Sequence, residues 1–322
     1  MYSINTRRMR AMLGLSAMVL SASLLVGCGG GGGSSDGSSG GSSSGSVTTG
    51  TLSGTATKGP VSNAAVKAFA IHNGARGSQL GSAMTDANGN FTMTMDAYTG
   101  PVMLQVRGGS YVDEATGIRM NMLDADELTC LVPAITVAAG STTSGVQVTP
   151  LTSMAQAWAE HMAGGMTTAN AMMANSRIGA AYVAPGADIV MMHPIDPTVA
   201  GSANGASIEA KNYGMMLAAM SQAAHDLGMT TSSSAMVTAM LNDASDGIMD
   251  GRMGGTAINM NGMGGMMGGG GMMSTAGTSQ LATSMATFIN NMTMNRSGVT
   301  SVAEMQTLMN QMMQLAASGG RL

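Results

Sequence analysis

Methionine thioethers and closely spaced carboxylates are the groups here whose type and spacing could do chemistry. From Met253 to Met273, seven of 21 residues are Met and nine are Gly, so a chain with little backbone restriction carries several soft donors. Thioether sulfur binds Cu(I) or Ag(I) and stays uncharged where free thiols do not last. Met260, Met263, Met266, Met267, Met272 and Met273 are the candidate soft-metal ligands. The competing reading is a flexible loop in a protein that uses Met everywhere, since 31 of the 38 methionines lie outside this stretch. Exposed Met also oxidises reversibly, which adds a sacrificial antioxidant role.

Harder cations would need oxygen. Asn242-Asp-Ala-Ser-Asp-Gly-Ile-Met-Asp-Gly251 resembles part of a calcium loop, with Asp246, Gly247 and Asp250 at its fifth, sixth and ninth positions. Ala244 and Met253 then stand where the third and twelfth ligands belong, so a helix-terminating Asp/Gly turn competes with calcium binding through Asp246 and Asp250. The four histidines, His72, His161, His193 and His225, form no H-x-x-E or H-E-x-x-H pair. Two G-x-S-x-G matches, Gly33–Gly37 and Gly41–Gly45, fall in a Gly/Ser tract that cannot form the strand and helix of a hydrolase elbow. No catalytic residue is assigned and no enzyme is expected; a hydrolase with dispersed site residues is an alternative.

Cys28 is the residue with the clearest chemistry. Arg7, Arg8 and Arg10 precede an apolar run, Met12 to Val26, that closes on Leu25-Val26-Gly27-Cys28. That closing stretch resembles the lipobox of bacterial lipoproteins, in which the cysteine is acylated and begins the mature chain. The resemblance implies a signal peptide over 1–27, lipid attachment at Cys28 and, with Gly29 rather than Asp after the cysteine, the bacterial outer membrane. Acylation of Cys28 leaves Cys130 without an intramolecular partner. Cys130 lies in the apolar run Leu128–Val132 with no Lys, Arg or His beside it, which reads as a buried, inert thiol.

Removing residues 1–27 leaves 10 Lys and Arg against 17 Asp and Glu, a mildly acidic chain without a basic cluster, which argues against nucleic-acid binding. Residues 28–50 read as a disordered Gly/Ser-rich tether, because 18 of the 22 residues from Gly29 to Gly50 are Gly or Ser. Only 3% of the chain is aromatic, so Met must fill core positions and packing is adaptable.

Two elements of different period then follow. From Thr51 short runs alternate at a period of two: Val66/Ala68/Ala70, Phe91/Met93/Met95, Val102/Leu104/Val106, Ile118/Met120/Met122 and Val146/Val148. Turn pairs such as Asn73-Gly74 and Asn88-Gly89 separate them, favouring an antiparallel β-sandwich over 51–148. Gly54-Thr-Ala-Thr-Lys-Gly-Pro-Val-Ser-Asn-Ala-Ala-Val66 with Thr85-Asp-Ala-Asn-Gly-Asn-Phe91 resembles the carboxypeptidase regulatory-like domain, a transthyretin-like β-sandwich. Gly109-Ser-Tyr-Val-Asp-Glu-Ala-Thr-Gly117 is similar to a stretch of bacterial lipoproteins that carry this domain. In that family the domain accompanies a peptidase and does not itself cut peptides.

From Pro150 the period becomes helical. Thr149 is a cap and Pro150 a first-turn residue for the stripe Leu151, Met154, Ala155, Trp158, Met162. A weaker helix near Thr168–Tyr182 follows. Further stripes are Ile208/Met216/Met220/Ala223/Leu227, Met236/Val237/Met240/Leu241, Leu281/Met285/Phe288/Ile289/Met292 and Val302/Met305/Met309/Met312/Met313. The expected architecture is α+β and multidomain: a sandwich, then a Met-rich irregular helical bundle over 149–322 with a Gly/Met-rich loop at 253–273. The expected role is a lipid-anchored, non-enzymatic binding or structural module of the cell envelope. Its partners would be the membrane, through the acyl anchor, and an envelope protein or glycan. The alternative is a periplasmic Cu(I)/Ag(I)-binding protein.

Overall fold

The computed structural model describes residues 48–123, 125–229, 233–258 and 275–322, with the side chains of 275–279 left out. The signal peptide, Cys28, most of the tether and Met260, Met263, Met266, Met267, Met272 and Met273 lie outside the described residues.

The five period-two runs become strands, and four further strands between Thr49 and Val148 form where no such run was read. In chain order these are β1 (Thr49–Ala56), β2 (Ala65–His72), β3 (Ala75–Met84), β4 (Asn90–Asp96), β5 (Tyr98–Arg107), β6 (Ser110–Val112), β7 (Arg119–Asn121), β8 (Glu127–Val137) and β9 (Thr142–Val148). Seven of them form one sheet in the order β8-β5-β2-β3-β4-β1-β9, and β6 with β7 make a separate hairpin. The sheet is mixed, which corrects the wholly antiparallel expectation: β9 runs parallel to β1, because the chain leaving β8 crosses to the opposite edge instead of folding back on it. Gly140 N and Thr49 O, and Thr51 N and Ser141 O, close that crossing at 2.9 and 2.8 Å. β1 begins at Thr49, so the last residues assigned to the tether are already paired, Thr49 with Asp96 and Gly50 with Met95.

Local chemistry explains the hairpins. Asn73 and Gly74 both take positive φ, 51° and 75°, as a two-residue turn matched to strand twist requires. In the β3–β4 turn, Asp86 Oδ1 accepts the Asn88 and Asn90 backbone N–H groups at 2.8 Å each. These hydrogen bonds, led by that from Asn90, hold the Asp86 carboxyl below its ordinary value.

Alternation in β4 is strict, with Phe91, Met93 and Met95 buried and the residues between exposed. It fails in β5, where Val102 to Val106 are all buried. Ile118 and Met120/Met122 were expected on one strand face, yet Ile118 is exposed because it precedes the short strand β7.

The helical segments are α1 (Pro150–His161), α2 (Thr168–Tyr182), α3 (Ile208–Asp226), α4 (Ser234–Ala244), α5 (Thr275–Asn290) and α6 (Gln306–Ala317), with a two-strand ribbon β10 (Arg252–Met253) and β11 (Thr256–Ala257) and a 3-10 turn over Val302–Met305. The chain is thus α+β. Thr149 caps α1 in a reciprocal box with Thr152, which satisfies two orphan backbone donors at once. The stripes bury Met216, Met220, Met285, Phe288, Met309 and Met312. Their ends are corrected: Ile208, Leu227, Met292 and Met313 are exposed. Ile208 opens α3, while Leu227 and Met292 lie past the last turns of α3 and α5, where the helical face no longer meets the core.

α1 and α2 lie against β8, and the apolar core runs without a break from Leu52 and Leu104 in the strands to Met154, Met216 and Phe288 in the helices. No helix among the described residues is long and apolar enough to cross a membrane.

Candidate binding groove and buried charge cluster

β8 is an edge strand, and an edge exposes unpaired backbone groups unless something covers it. Helix side chains do so here. Thr129 N–H donates to Ser153 Oγ at 2.8 Å, and Thr129 O accepts from Thr152 Oγ1 at 2.7 Å. Leu131 O accepts from Asn175 Nδ2 at 3.0 Å. The next edge position, Pro133, has no N–H to satisfy.

Where the cover stops, a groove opens with a volume of about 420 Å³. β8 contributes Val132, Pro133 and Ala134, and α2 contributes Met172, Asn175 and Ser176. The far wall is a loop carrying Ala187, Asp188, Val190 and Met191. That loop is fixed from inside: Asp188 Oδ1 accepts the Val190 and Met191 N–H groups at 3.0 and 3.1 Å, and Gln147 N–H donates to Val190 O at 2.7 Å. Tyr213 O–H donates to Ile189 O at 3.0 Å.

Met172 and Met191 stand exposed on opposite sides of the groove, giving it two adaptable apolar rims. Asn175 is 8% exposed. Its Nδ2 is committed to Leu131, which fixes the amide orientation and leaves Oδ1 buried without a hydrogen-bond partner. Gln147 Oε1 and Asn212 Oδ1 share that condition, but of the three residues Asn175 is the one that lines the groove. An unpaired buried acceptor costs roughly 1–3 kcal/mol, a cost that a ligand donor would remove.

The second constellation is buried and ionic. Lys58, in the turn after β1, is 1% exposed. Its Nζ contacts Glu114 Oε2 at 3.0 Å, Ser233 Oγ at 3.2 Å and Ser221 Oγ. Asp113 Oδ2 lies 3.9 Å away and the Tyr111 ring centroid 5.1 Å. Glu114 Oε1 accepts the Gly59 N–H at 2.8 Å, and Glu114 Oε2 accepts the Ser221 hydroxyl at 2.5 Å. Ser233 Oγ donates to Asp113 Oδ2 at 2.5 Å. Burial pushes the Lys58 ammonium down, but Glu114, then Tyr111 and Asp113, outweigh it and hold its pKa above the ordinary value. Ser221 touches a lysine, yet both are buried and the amine is held as a cation, so this is no exposed nucleophile with a free base.

Two stretches quoted separately from the sequence, Gly54–Val66 and Gly109–Gly117, meet in this cluster. Sequence reasoning missed that meeting, along with Asn175, because a charged residue is almost never placed inside without its partners in view.

The remaining candidates stay apart. Asp246 Oδ1 accepts Ile248 N–H at 3.0 Å and its Oδ2 accepts Gly254 N–H at 3.1 Å, while Asp250 Oδ1 accepts Arg252 N–H at 3.0 Å. These carboxylates shape their own turn. Among the described residues no three His, Cys, Asp or Glu side chains are grouped to hold a metal. His161 Nδ1 lies 2.8 Å from Ala157 O within α1. Cys130 is fully buried, and burial pushes its thiol well up, which silences it as a nucleophile.

No family model matches the chain, and no curated protein matches it. Among solved structures, a 9R-lipoxygenase from Cyanothece PCC8801 aligns at 13% identity over 61% of this chain and 25% of its own, with a TM-score of 0.20. The chain spans about a quarter of that enzyme's length, and a likeness so slight carries no argument.

Proposed function

We propose that the chain is a lipid-anchored lipoprotein of the bacterial outer membrane that acts as a non-enzymatic binding module. Its groove beside β8 takes a small apolar molecule bearing one N–H or O–H donor. The observation that carries this reading is the groove itself, lined largely by apolar residues and by Asn175, whose buried Oδ1 has no hydrogen-bond partner. Concave, mostly apolar sites with a few placed polar groups are how small-molecule sites are built.

The fold is read further as the transthyretin-like sandwich of the carboxypeptidase regulatory-like domain. In support, β8-β5-β2-β3 and β4-β1-β9 are joined through a single ladder pair, Gly81 with Met95. The sheet can therefore fold into a four-strand and a three-strand layer at that seam. A fold of this kind leaves the activity to the site.

The probe is 1-aminoanthracene, a fluorescent apolar molecule with an amino donor, titrated into the full chain. Saturable binding tighter than that of anthracene is expected, and Ala134→Trp, which fills the groove from an exposed position, should abolish it. Binding that is absent, or unchanged in the filled variant, removes the groove from the reading.

A further inference from the structure

A buried ion pair is costly, because desolvation takes back much of what the attraction contributes. The Lys58 cluster has a second feature: its groups are placed as the parts of a condensation. We propose that Lys58 and Glu114 become covalently joined in the folded chain, through an amide between Lys58 Nζ and Glu114 Cδ.

The amine is 3.0 Å from the Glu114 carboxylate and held there by Ser221 and Ser233. The Gly59 N–H on Oε1 sits where negative charge develops when nitrogen attacks the carboxyl carbon. The Ser221 hydroxyl donates to Oε2, the oxygen that departs. Asp113 is a second carboxylate that can receive a proton from the ammonium through the Ser233 hydroxyl, which lies 3.2 Å from Nζ and donates to Asp113 Oδ2 at 2.5 Å. Once one proton has left, the Nζ lone pair bonds to Cδ and the Cδ–Oε2 bond breaks with its electron pair on oxygen. The two protons lost by nitrogen end on that oxygen, and water is released. One ammonium and one carboxylate become one amide and one water, with no other reactant.

Two circumstances favour the product. Held reactants behave as if at an effective concentration of roughly 10⁵–10⁸ M, and the amide removes two buried charges together with their desolvation cost. Beside Lys58, between Met122, Asp126 and Leu128, lies a cavity of about 10 Å³, near the lower limit for holding one water.

The link would tie the turn after β1 to the segment between β6 and β7, a separation of 56 residues. Mass spectrometry of the full-length chain against Lys58→Arg tests it. The mass difference should exceed that of the side-chain exchange by one water, and trypsin should leave Lys58 uncut. The peptide Gly108–Arg119 should be missing from the wild-type digest, joined to the Lys58 peptide, and present in the variant. Should K58R fail to accumulate, the wild-type digest decides alone. A wild-type chain of full mass that yields free Gly108–Arg119 overturns the proposal, and a link mapped to Asp113 overturns the assignment to Glu114.

Discussion

The hydroxyls of Thr149 and Tyr213 lie 2.6 Å apart, both fully buried. The N-cap of α1 is thereby tied to the second turn of α3, and through Tyr213 to Ile189 in the loop that forms the far wall of the groove. Each group in this chain has a role: Thr149 Oγ1 accepts from Thr152 N–H, donates to Tyr213, and Tyr213 donates onward. Burial also holds the Tyr213 phenol far above its ordinary value, so it stays a neutral donor. Tyr213→Phe removes the middle link and leaves Ile189 O without its donor and the Thr149 O–H without its acceptor. The expected loss is about 1–3 kcal/mol of stability, read as a lower urea midpoint with an unchanged slope. An unaltered midpoint would show that water replaces the phenol at no cost.

Asp243 supplies the pH dependence. Its Oδ1 accepts the Gly251 and Arg252 N–H groups at 2.6 and 3.2 Å. Burial nevertheless outweighs those hydrogen bonds and pushes the carboxyl up from 3.8 to about 7. Between those values the folded chain keeps a proton that the unfolded chain releases. Stability contributed by this group is therefore present below pH 3.8 and declines as pH rises towards about 7. Asp243→Asn keeps an oxygen for both amides and cannot ionise. Urea midpoints measured at about pH 5 and about pH 8 should differ less in the variant than in the wild type. An equal difference in both proteins would assign the slope to other groups.

Much of the scaffold was legible because it rests on local chemistry. The Thr149 cap, the Asp86 turn and the alternation of Phe91, Met93 and Met95 each depend on residues within a few positions. α2 emerged within its expected bounds despite a weak pattern. β3 was not legible: Ala75–Met84 is mostly polar or Gly and largely exposed, so it carries no period-two signal. β8 was read only as an apolar run around Cys130, since both of its faces are covered. The candidate sites depend on longer reach. Lys58 and Ser221 are 163 residues apart, and Asn175 matters only because α2 lies on β8. Residue type and spacing along one chain contain neither fact.

The anchor can be tested apart from the fold. Leu25-Val26-Gly27-Cys28 places a single cysteine after a signal-like run, and acylation there would attach more than one chain to one residue. Each buried CH₂ contributes about 0.8 kcal/mol, and one acyl chain alone binds membranes only marginally, so multiple chains are what hold a protein there stably. Cys28→Ser preserves size and polarity but cannot form the thioether. It should abolish metabolic labelling with palmitate and move the protein from the membrane to the soluble fraction. Cys130→Ser is the matched control: that thiol is enclosed between strand and helix, so labelling should be unchanged. Labelling that persists in C28S, or vanishes in C130S, would place the lipid elsewhere.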